Sequence, residues 1–282
     1  MISIDSLQFG YKKSRPLFKN LNLDLAGGKI YGLLGKNASG KTTLLKSILG
    51  LRYPKAGSVN VMGFDPTKRA LAFLQDSFLL SEEVYTPQMD IASFIKTYGL
   101  FYPKFSNQEF YQLLNEFEIP YKSSIHKLSM GQKKKVMISF ALACNTRLLV
   151  MDEPTNGLDI PSKKQFRNIL SHIITKNRLF IISTHQIRDL HSLIDSVLIL
   201  ENGKVIFSHD IARIERSLFF YVERELPSDS NILYYERVLG GYYCIRERVN
   251  DNPGLEVDLE VLFNAIISHP KEFEILLDKE LA

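Results

Sequence analysis

The sequence has few of the features that mark secreted or membrane-spanning proteins. It contains two cysteines, Cys144 and Cys244, which lie far apart and match neither a disulfide framework nor a metal-binding spacing. No apolar run approaches the roughly 18–20 residues that a membrane-spanning helix needs. The first six residues form no basic segment followed by an apolar core. These absences predict a chain of the reducing cytoplasm without a signal peptide or a membrane span.

The composition is that of an ordinary globular protein. Its 282 residues are 45% hydrophobic and 23% charged, which is enough for one large domain with a smaller appendage. The net charge of +4 is too mild to indicate nucleic-acid binding, and no nucleic-acid partner is expected. The basic run Lys133–Lys135 is better interpreted as a solvated helix face.

A phosphate-binding pattern occupies residues 35–42, which read Gly-Lys-Asn-Ala-Ser-Gly-Lys-Thr. A strand-like apolar run precedes it and a helix-like run follows, as the mechanism of this GxxxxGK[ST] loop requires. Curled backbone N–H groups and the helix N-terminus favour phosphate, Lys41 can reach the terminal phosphates, and Thr42 can ligate Mg²⁺. We predict a nucleoside triphosphate site made by Gly35, Lys36, Asn37, Ala38, Ser39, Gly40, Lys41, Thr42 and Thr43.

A second pattern, Leu148–Pro154, places two carboxylates directly after a buried-strand sequence. Ligands bind at the carboxyl edge of open α/β sheets. Asp152 is suited to hold Mg²⁺ through water, and Glu153 to polarise the water that attacks the γ-phosphate. The two patterns together predict hydrolysis of the bound nucleotide.

Apolar strands alternate with helical spacing along the chain, which predicts an α/β fold with a mostly parallel central sheet. Helical spacing fills Pro87–Ser129 and Ser162–Lys176, and a hairpin turns at Asn202-Gly203. The predicted strands are residues 2–9, Leu17–Leu25, Lys29–Leu34, Ser58–Met62, Ala70–Leu74, Leu148–Met151 and Leu179–Ser183.

Together with five further motifs in matching order, these patterns resemble the nucleotide-binding domain of the ATP-binding cassette (ABC) family. Leu128-Ser-Met-Gly-Gln132 is similar to the family signature LSGGQ, although Met130 replaces a glycine. The resemblance implies that Tyr11 stacks on adenine, that Gln75 contacts the metal and couples to the partner, and that His185 contacts the γ-phosphate. It also implies that Ser129, Met130, Gly131, Gln132 and Asp159 contact a nucleotide held by a second copy.

The resemblance covers about residues 2–209 and implies a P-loop NTPase fold. It divides the chain into an ATP-binding domain, 1–209, with an antiparallel β subdomain and a helical subdomain at about 87–135. Residues 210–282 remain as a small α+β accessory region, predicted to contain strands Ile232–Val238 and Tyr242–Val249 and helix Leu259–Ile267.

The implied function is that of an ATPase subunit of an ABC transporter, with ATP and Mg²⁺ as cofactors. Its partners would be a separate transmembrane subunit and a second ABC subunit, forming a homodimer at the inner face of the cell membrane. The segment Tyr98–Ser106 and the short C-terminal region favour an exporter over a sugar importer. Two alternatives stay open: a soluble ABC ATPase acting on ribosomes or nucleic acid, and a regulatory module that binds ATP without hydrolysing it.

Overall fold

A six-stranded sheet forms the middle of the protein, whose structure, a computed structural model, describes residues 1–12, 14–173, 177–187, 193–227, 229, 231–249 and 254–278. The first five strands in space are parallel, and the last pairs antiparallel with its neighbour. The inner strands are buried along almost their whole length, which explains their continuous apolar sequences. In spatial order they are β5 (Ser77–Leu80), β6 (Leu148–Asp152), β7 (Leu179–Thr184), β3 (Ile30–Leu34), β8 (Ser196–Glu201) and β9 (Lys204–Asp210). The predicted mostly parallel central sheet is confirmed.

A three-stranded antiparallel sheet packs on one side of the central sheet. It is made of β1 (Ile2–Phe9), β2 (Phe18–Leu25) and β4 (Ala56–Val61), with β1 in the middle. Alternate residues of β1 and β2 are buried, as expected when one face of a sheet covers a core. Helix α1 (Lys41–Ile48) shares this core, which also receives alternate residues of β3, β6 and β7.

The opposite face of the central sheet is covered mainly by helices. These helices are α3 (Ile91–Tyr98), α4 (Asn107–Glu116), α5 (Met130–Ala143) and α6 (Ile160–Ile173), whereas α2 (Leu71–Gln75) packs through Phe73 into the core of the antiparallel sheet. Helices α3, α4 and α5 begin within the predicted helical region, 87–135. They begin at side-chain caps: Asp90, Ser106 and Ser129 each accept a hydrogen bond from the backbone N–H three residues later.

The C-terminal region forms a small α+β unit that shares the core of the central sheet. Phe220, Leu262 and Phe273 belong to the same apolar cluster as Phe180 and Ile182 of β7. The three-stranded antiparallel sheet has β12 in the middle. The elements are α7 (Ile211–Ser217), β10 (Leu218–Glu223), β11 (Ile232–Val238), β12 (Gly241–Glu247), α8 (Leu259–Ser268) and α9 (Pro270–Asp278).

One strand prediction is wrong, and two strands, β5 and β10, were not predicted. Ala70–Leu74, predicted as a strand, lies mostly in helix α2, with Phe73 buried and Leu71 exposed. The strand of this region is β5, which begins two residues after Gln75 and pairs with β6. A short apolar run does not distinguish a helix from a strand, and here the pairing partner decides.

The predicted hairpin is present between β8 and β9. Asn202 and Gly203 have φ values of 48° and 73°, the conformation that a two-residue turn of this kind requires. The predicted helix Ser162–Lys176 corresponds to α6, and its last three positions lie outside the described residues.

Candidate functional site

The phosphate-binding loop joins β3 to α1 and wraps around the side chain of Lys41. That side chain is only 7% exposed, and its ammonium donates to the carbonyl oxygens of Gly35 at 2.7 Å and Lys36 at 3.3 Å. Gly40 has a φ of 109°, and a Cβ at Gly35 would lie 2.5 Å from the carbonyl oxygen of Leu200. The glycines therefore permit the curled loop that presents backbone N–H groups at the start of α1.

A cleft of about 810 Å³ opens in front of this loop. The sheet edge contributes acidic groups and a histidine, while the antiparallel sheet contributes an aromatic and basic side. The lining residues are Tyr11, Lys12, Arg15, Pro16, Leu17, Asn37, Ala38, Ser39, Gly40, Lys41, Thr42, Thr43, Glu82, Asp152, Glu153 and His185. Gly35 and Lys36 line a smaller neighbouring cavity instead.

Three side chains from three elements meet at the base of the cleft. Thr42 Oγ1 donates to Asp152 Oδ2 at 2.6 Å, and the Ser183 hydroxyl donates to Asp152 Oδ1. Asp152 is 4% exposed, and the two hydroxyls fix the direction of its carboxylate. Hydroxyl and carboxylate oxygens are the donors that Mg²⁺ accepts, together with phosphate oxygens and water. Among the described residues no three His, Cys, Asp or Glu side chains form a ready-made metal site, so phosphate and water would complete the coordination shell.

Glu153 and His185 form a second pair beside this group. His185 Nδ1 lies 2.9 Å from Glu153 Oε1, and the His185 backbone N–H donates to Glu153 Oε2 at 3.3 Å. Glu153 has a φ of 49°, and its own N–H donates to the carbonyl and hydroxyl oxygens of Ser183 at 3.1 and 3.2 Å. This positive φ is uncommon for a residue other than glycine, and the bonds to Ser183 hold it. The carboxylate is thus held at the cleft wall, where it can accept a proton from water.

Lys134 supports the Glu153 turn from below. It is buried, and its ammonium donates to the carbonyl oxygens of Glu153 at 2.7 Å and Asn156 at 2.8 Å. The expectation that Lys133–Lys135 is a solvated helix face is therefore wrong for its middle residue. The helical spacing of α5 turns Lys134 inward toward the turn after β6, a contact that depends on tertiary structure.

The electrostatics of the cleft balance two buried cations against three carboxylates. Burial lowers the pKa of Lys41 and of Lys134, because water no longer solvates the ammonium groups. The carboxylates of Glu153, Asp152 and Glu82 oppose this effect at both lysines. A nucleotide phosphate in the cleft would add the negative charge that Lys41, with its donors now on backbone carbonyls, is placed to meet.

Tyr11 lies at the rim of the cleft with its side chain 66% exposed. Its hydroxyl lies 3.0 Å from Thr43 Oγ1, and the ring meets Phe9 edge to face at 5.1 Å and Arg52 at 5.7 Å. The hydrogen bond with Thr43 lowers the pKa of the Tyr11 phenol. An exposed aromatic ring beside a phosphate loop offers a stacking surface for a base.

Gln75 does not line the cleft, whereas Glu82 does. Gln75 ends α2, before β5 begins, while Glu82 follows the carboxyl end of β5 and accepts a hydrogen bond from Asn156 Nδ2 at 2.9 Å. The sequence carried a signal for Glu82: acidic residues after the apolar run Phe78–Leu80, as at Asp152. Because the strand was predicted at Ala70–Leu74 instead, Glu82 was not placed at the end of a strand.

The predicted signature residues lie on an exposed surface that is separate from the cleft. Ser129 caps α5 in a reciprocal arrangement with Gln132, and Met130 is 72% exposed at the first helical position. A Cβ at Gly131 would be 3.5 Å from the carbonyl oxygen of Gly157, so the start of α5 abuts the turn that leads to Asp159. Asp159 is exposed, and its carboxylate accepts from Ser162 N–H at 2.9 Å. None of these five predicted contacts lines the cleft of its own chain.

Sequence comparison places the chain beside known ATP-binding proteins. The family model described as ABC transporter matches residues 18–156. A Pyrococcus furiosus protein provisionally named an ABC transporter ATP-binding protein is 32% identical over 75% of this chain and 84% of its own length. A cobalt import ATP-binding protein, CbiO, of Salmonella paratyphi A is 31% identical over 73% of this chain and 79% of its own length.

Solved structures show the same fold. An ATP-binding subunit of an ABC transporter matches with a TM-score of 0.68 and 24% identity, over 77% of this chain and 92% of that one. A dimeric ATP-binding cassette in a post-hydrolysis state, bound to ADP and Pi, matches with a TM-score of 0.65 and 21% identity, over 74% of this chain and 98% of that one. Among the helices of the described residues, none combines the length and apolar character needed to cross a bilayer.

Proposed function

The chain belongs to the ABC transporter ATP-binding family and is an ATPase, and from this premise we propose that it powers an exporter whose membrane-spanning part is a separate protein. The observation that carries the ATPase chemistry is the meeting of Thr42, Asp152, Glu153 and His185 at one sheet edge beside Lys41. The chain would act at the inner face of the membrane, held there by its membrane partner.

In the proposed mechanism the phosphate loop and Lys41 hold the β- and γ-phosphates. The Lys41 ammonium exchanges its backbone carbonyl partners for phosphate oxygens, which gains charge-assisted hydrogen bonds. Tyr11, exposed at the rim, stacks on the base. Thr42 Oγ1 and Asp152 Oδ2, which are 2.6 Å apart, would hold Mg²⁺, and the ion would offset the charge of the phosphates.

Glu153 orients the attacking water, and His185 steadies both the carboxylate and the γ-phosphate. The 2.9 Å contact between His185 Nδ1 and Glu153 Oε1 supports these roles, because it aims the carboxylate across the cleft. The family resemblance implied that Gln75 contacts the metal and couples to the partner. We assign this role to Glu82 instead, since Glu82 lines the cleft and Gln75 does not.

The signature surface completes the site of a second copy. Ser129 and the N–H groups around Gly131 start α5 at an exposed surface, where a helix N-terminus attracts phosphate. Two identical chains in a head-to-tail arrangement would each supply one loop and one signature surface.

Nucleotide therefore controls association in this proposal, because ATP forms part of the interface. In sedimentation experiments the chain is expected to be monomeric without nucleotide and dimeric with ATP when Glu153→Gln slows hydrolysis. A tight dimer after complete nucleotide removal would contradict the proposal and indicate a nucleotide-independent interface.

The membrane subunit is proposed to dock on the segment that follows β5 and on the turn that follows α3. Tyr85 in the first segment is 77% exposed, and Glu83 two residues before it is also exposed. Leu100 and Phe101 in the turn after α3 are 82% and 63% exposed. Leu80 is not part of this surface, because it is 2% exposed within β5. A short groove of about 510 Å³ runs along α3 past Leu100 and Tyr102 and can receive a short cytoplasmic helix.

The docking proposal is tested with Leu100→Ser and Glu83→Lys. Both are expected to lower co-purification of the membrane subunit from native membranes while the ATPase rate of the isolated chain stays unchanged. Crosslinks that map only to residues 210–278 would overturn this route.

Export is the preferred direction because the described part of residues 210–282 forms a compact three-stranded unit rather than the long barrel of sugar importers. Import is the second candidate, since relatives at 31% identity are named cobalt import proteins. The test measures uptake of radioactive cobalt by cells that carry Lys41→Ala. Loss of cobalt uptake would overturn export. Unchanged cobalt uptake, together with accumulation of the exported substrate inside the cells, supports export.

A further inference from the structure

A second cavity, of about 260 Å³, lies beside the phosphate cleft and reaches the C-terminal unit. Its walls are the phosphate loop at Gly35–Asn37, then Thr184, His185 and Ile187, and finally Phe263 of α8. Among the lining residues that the structure describes, Phe263 alone comes from beyond residue 209. An aromatic ring of the C-terminal unit thus shares a cavity with the histidine that faces Glu153.

Apart from this cavity, the segment Thr184–Ile187 contacts β7, Lys163 and the main apolar cluster. Its backbone leaves β7 at Thr184, and Gln186 receives a hydrogen bond from Lys163 Nζ at 2.7 Å. Ile187, 9% exposed, packs into the main apolar cluster. The His185 side chain is 39% exposed, and within the described part of the chain its polar contact is with Glu153. Its freedom toward the cavity therefore depends on what fills the far wall.

Helix α8 places Phe263 firmly at that wall. Asp258 caps the helix by accepting from the N–H groups of Glu260 and Val261, at 2.8 and 3.2 Å. Leu262, fully buried, anchors the helix in the cluster shared with β7, and Asn264 Nδ2 donates to Glu236 Oε2 of β11 at 3.1 Å. Residues on both sides of Phe263 are thus fixed to the rest of the unit, and its half-buried ring packs against the same cluster.

We propose that Phe263 is a positioning residue for hydrolysis: its ring limits the room open to His185 and so keeps the imidazole against Glu153. This inference rests on the role proposed above for His185. It gives the C-terminal unit a direct influence on turnover, because any partner that shifts α8 also changes the wall of the His185 cavity. Removing the ring takes away the wall that the C-terminal unit supplies to this cavity of about 260 Å³, so the imidazole has more room to turn away from Glu153.

The test compares Phe263→Ala, Phe263→Leu and Phe219→Ala in the full-length chain. Phe219 is a matched control, because it is a half-buried phenylalanine of the same unit that lies on β10 and does not line the cavity. Phe263→Ala is expected to lower kcat about tenfold, as small misplacements of catalytic groups do, with KM for ATP unchanged. Phe263→Leu restores most of kcat, and Phe219→Ala leaves it unchanged. The His185 ring signal in a histidine-labelled NMR spectrum, assigned with His185→Ala, shifts only in Phe263→Ala.

Two results overturn the inference. A kcat for Phe263→Ala equal to wild type at the same folded fraction shows that the ring does not position His185. A fall in kcat shared by Phe219→Ala, or joined by a matching rise in KM, shows a general structural effect. The His185→Ala variant distinguishes failure of the proposed role of His185 from failure of the positioning role of Phe263. If His185→Ala hydrolyses ATP at the wild-type rate, the role proposed for His185 is wrong. If it is inactive while Phe263→Ala is normal, only the positioning role fails.

Discussion

Two helix N-termini carry the predicted nucleotide contacts, and they differ in how complete they are within one chain. At α1, Lys41 is buried among backbone carbonyls, and Thr42 already binds the carboxylate of Asp152. At α5, Ser129 and Gln132 satisfy only each other's backbone N–H groups, and Met130 stands 72% exposed. The first terminus lies in a cleft walled by three other elements, whereas the second lies on an open surface.

Under the proposed function, one half of the nucleotide site is assembled within the chain, and the other half is supplied by the α5 surface of a second copy. Partly buried charge is arranged around α1, where Lys41 and the carboxylates already balance each other. At the start of α5, Lys134 is buried and bonded to backbone carbonyls beneath the helix, and the exposed Asp159 lies nearby, but no carboxylate pair and hydroxyl converge there among the described residues as they do at α1. Changes at α1 should therefore act on nucleotide binding and chemistry in one chain, while changes at α5 should act on association.

Glu153→Gln is expected to cause the largest effect. The amide keeps the size of the side chain but cannot accept a proton from water, so kcat falls by about 10²–10⁴-fold, the usual contribution of a positioned base. ATP affinity stays close to wild type, because the phosphate loop is untouched. Phosphate release and a separate ATP titration measure the two. The exposed Glu116→Gln is the control, and a Glu153→Gln variant with wild-type turnover would assign the chemistry to another group.

Lys41→Ala is expected to weaken ATP binding about a hundredfold, since one charge-assisted phosphate contact contributes roughly 1.5–3 kcal/mol. The effect should appear in direct titration calorimetry at constant salt. Lys19→Ala, which removes an exposed lysine of β2, should leave the affinity unchanged. Equal affinity in the Lys41 variant would separate this loop from phosphate binding and break the contrast between the two termini.

Lys134→Met should destabilise the fold by about 1–3 kcal/mol, the cost of leaving a buried acceptor without its donor. The carbonyl oxygens of Glu153 and Asn156 lose a shared ammonium, so the Glu153 turn loosens and kcat falls as well. Urea unfolding and turnover are measured on the same sample. The neighbouring Lys133→Met serves as the reference, and equal stability of the two variants would show that Lys134 does not support the turn.

Met130→Gly should have the smallest effect, because the side chain is 72% exposed and the start of α5 is held by the Ser129–Gln132 cap. In the Glu153→Gln background the dimer dissociation constant with ATP should change by less than about fivefold, since an exposed helix glycine costs roughly 1 kcal/mol or less. Sedimentation over a concentration series gives this constant. A tenfold tighter dimer would mean that Met130 crowds the partner's nucleotide.

Local patterns were the most predictable part of the molecule. In the loop at residues 35–42, Lys41 bonds to carbonyl oxygens five and six positions before it. The cap of α5 and the backbone conformation of the Asn202-Gly203 turn also depend on neighbours within a few positions. The rule that parallel strands end at a common edge predicted that Asp152 would face the loop, although Thr42 lies 110 positions away.

The misses share a different cause. Glu82 reaches the cleft only because β5, and not the segment before it, pairs with β6. Lys134 is buried because α5 packs under the turn after β6, although its sequence neighbours suggested a solvated run. Phe263 meets the His185 cavity through a C-terminal unit whose position no periodicity reveals.

The family, the α/β fold and the chemistry of the loop could be predicted from the chain alone, because each depends on residue types at short spacing. Folding in three dimensions was needed to show that Glu82 lines the cleft, that Lys134 is buried, and that Phe263 of the C-terminal unit reaches the His185 cavity. Those outcomes depend on strand pairing and helix packing between residues far apart in the chain, and many pairings satisfy the same local pattern.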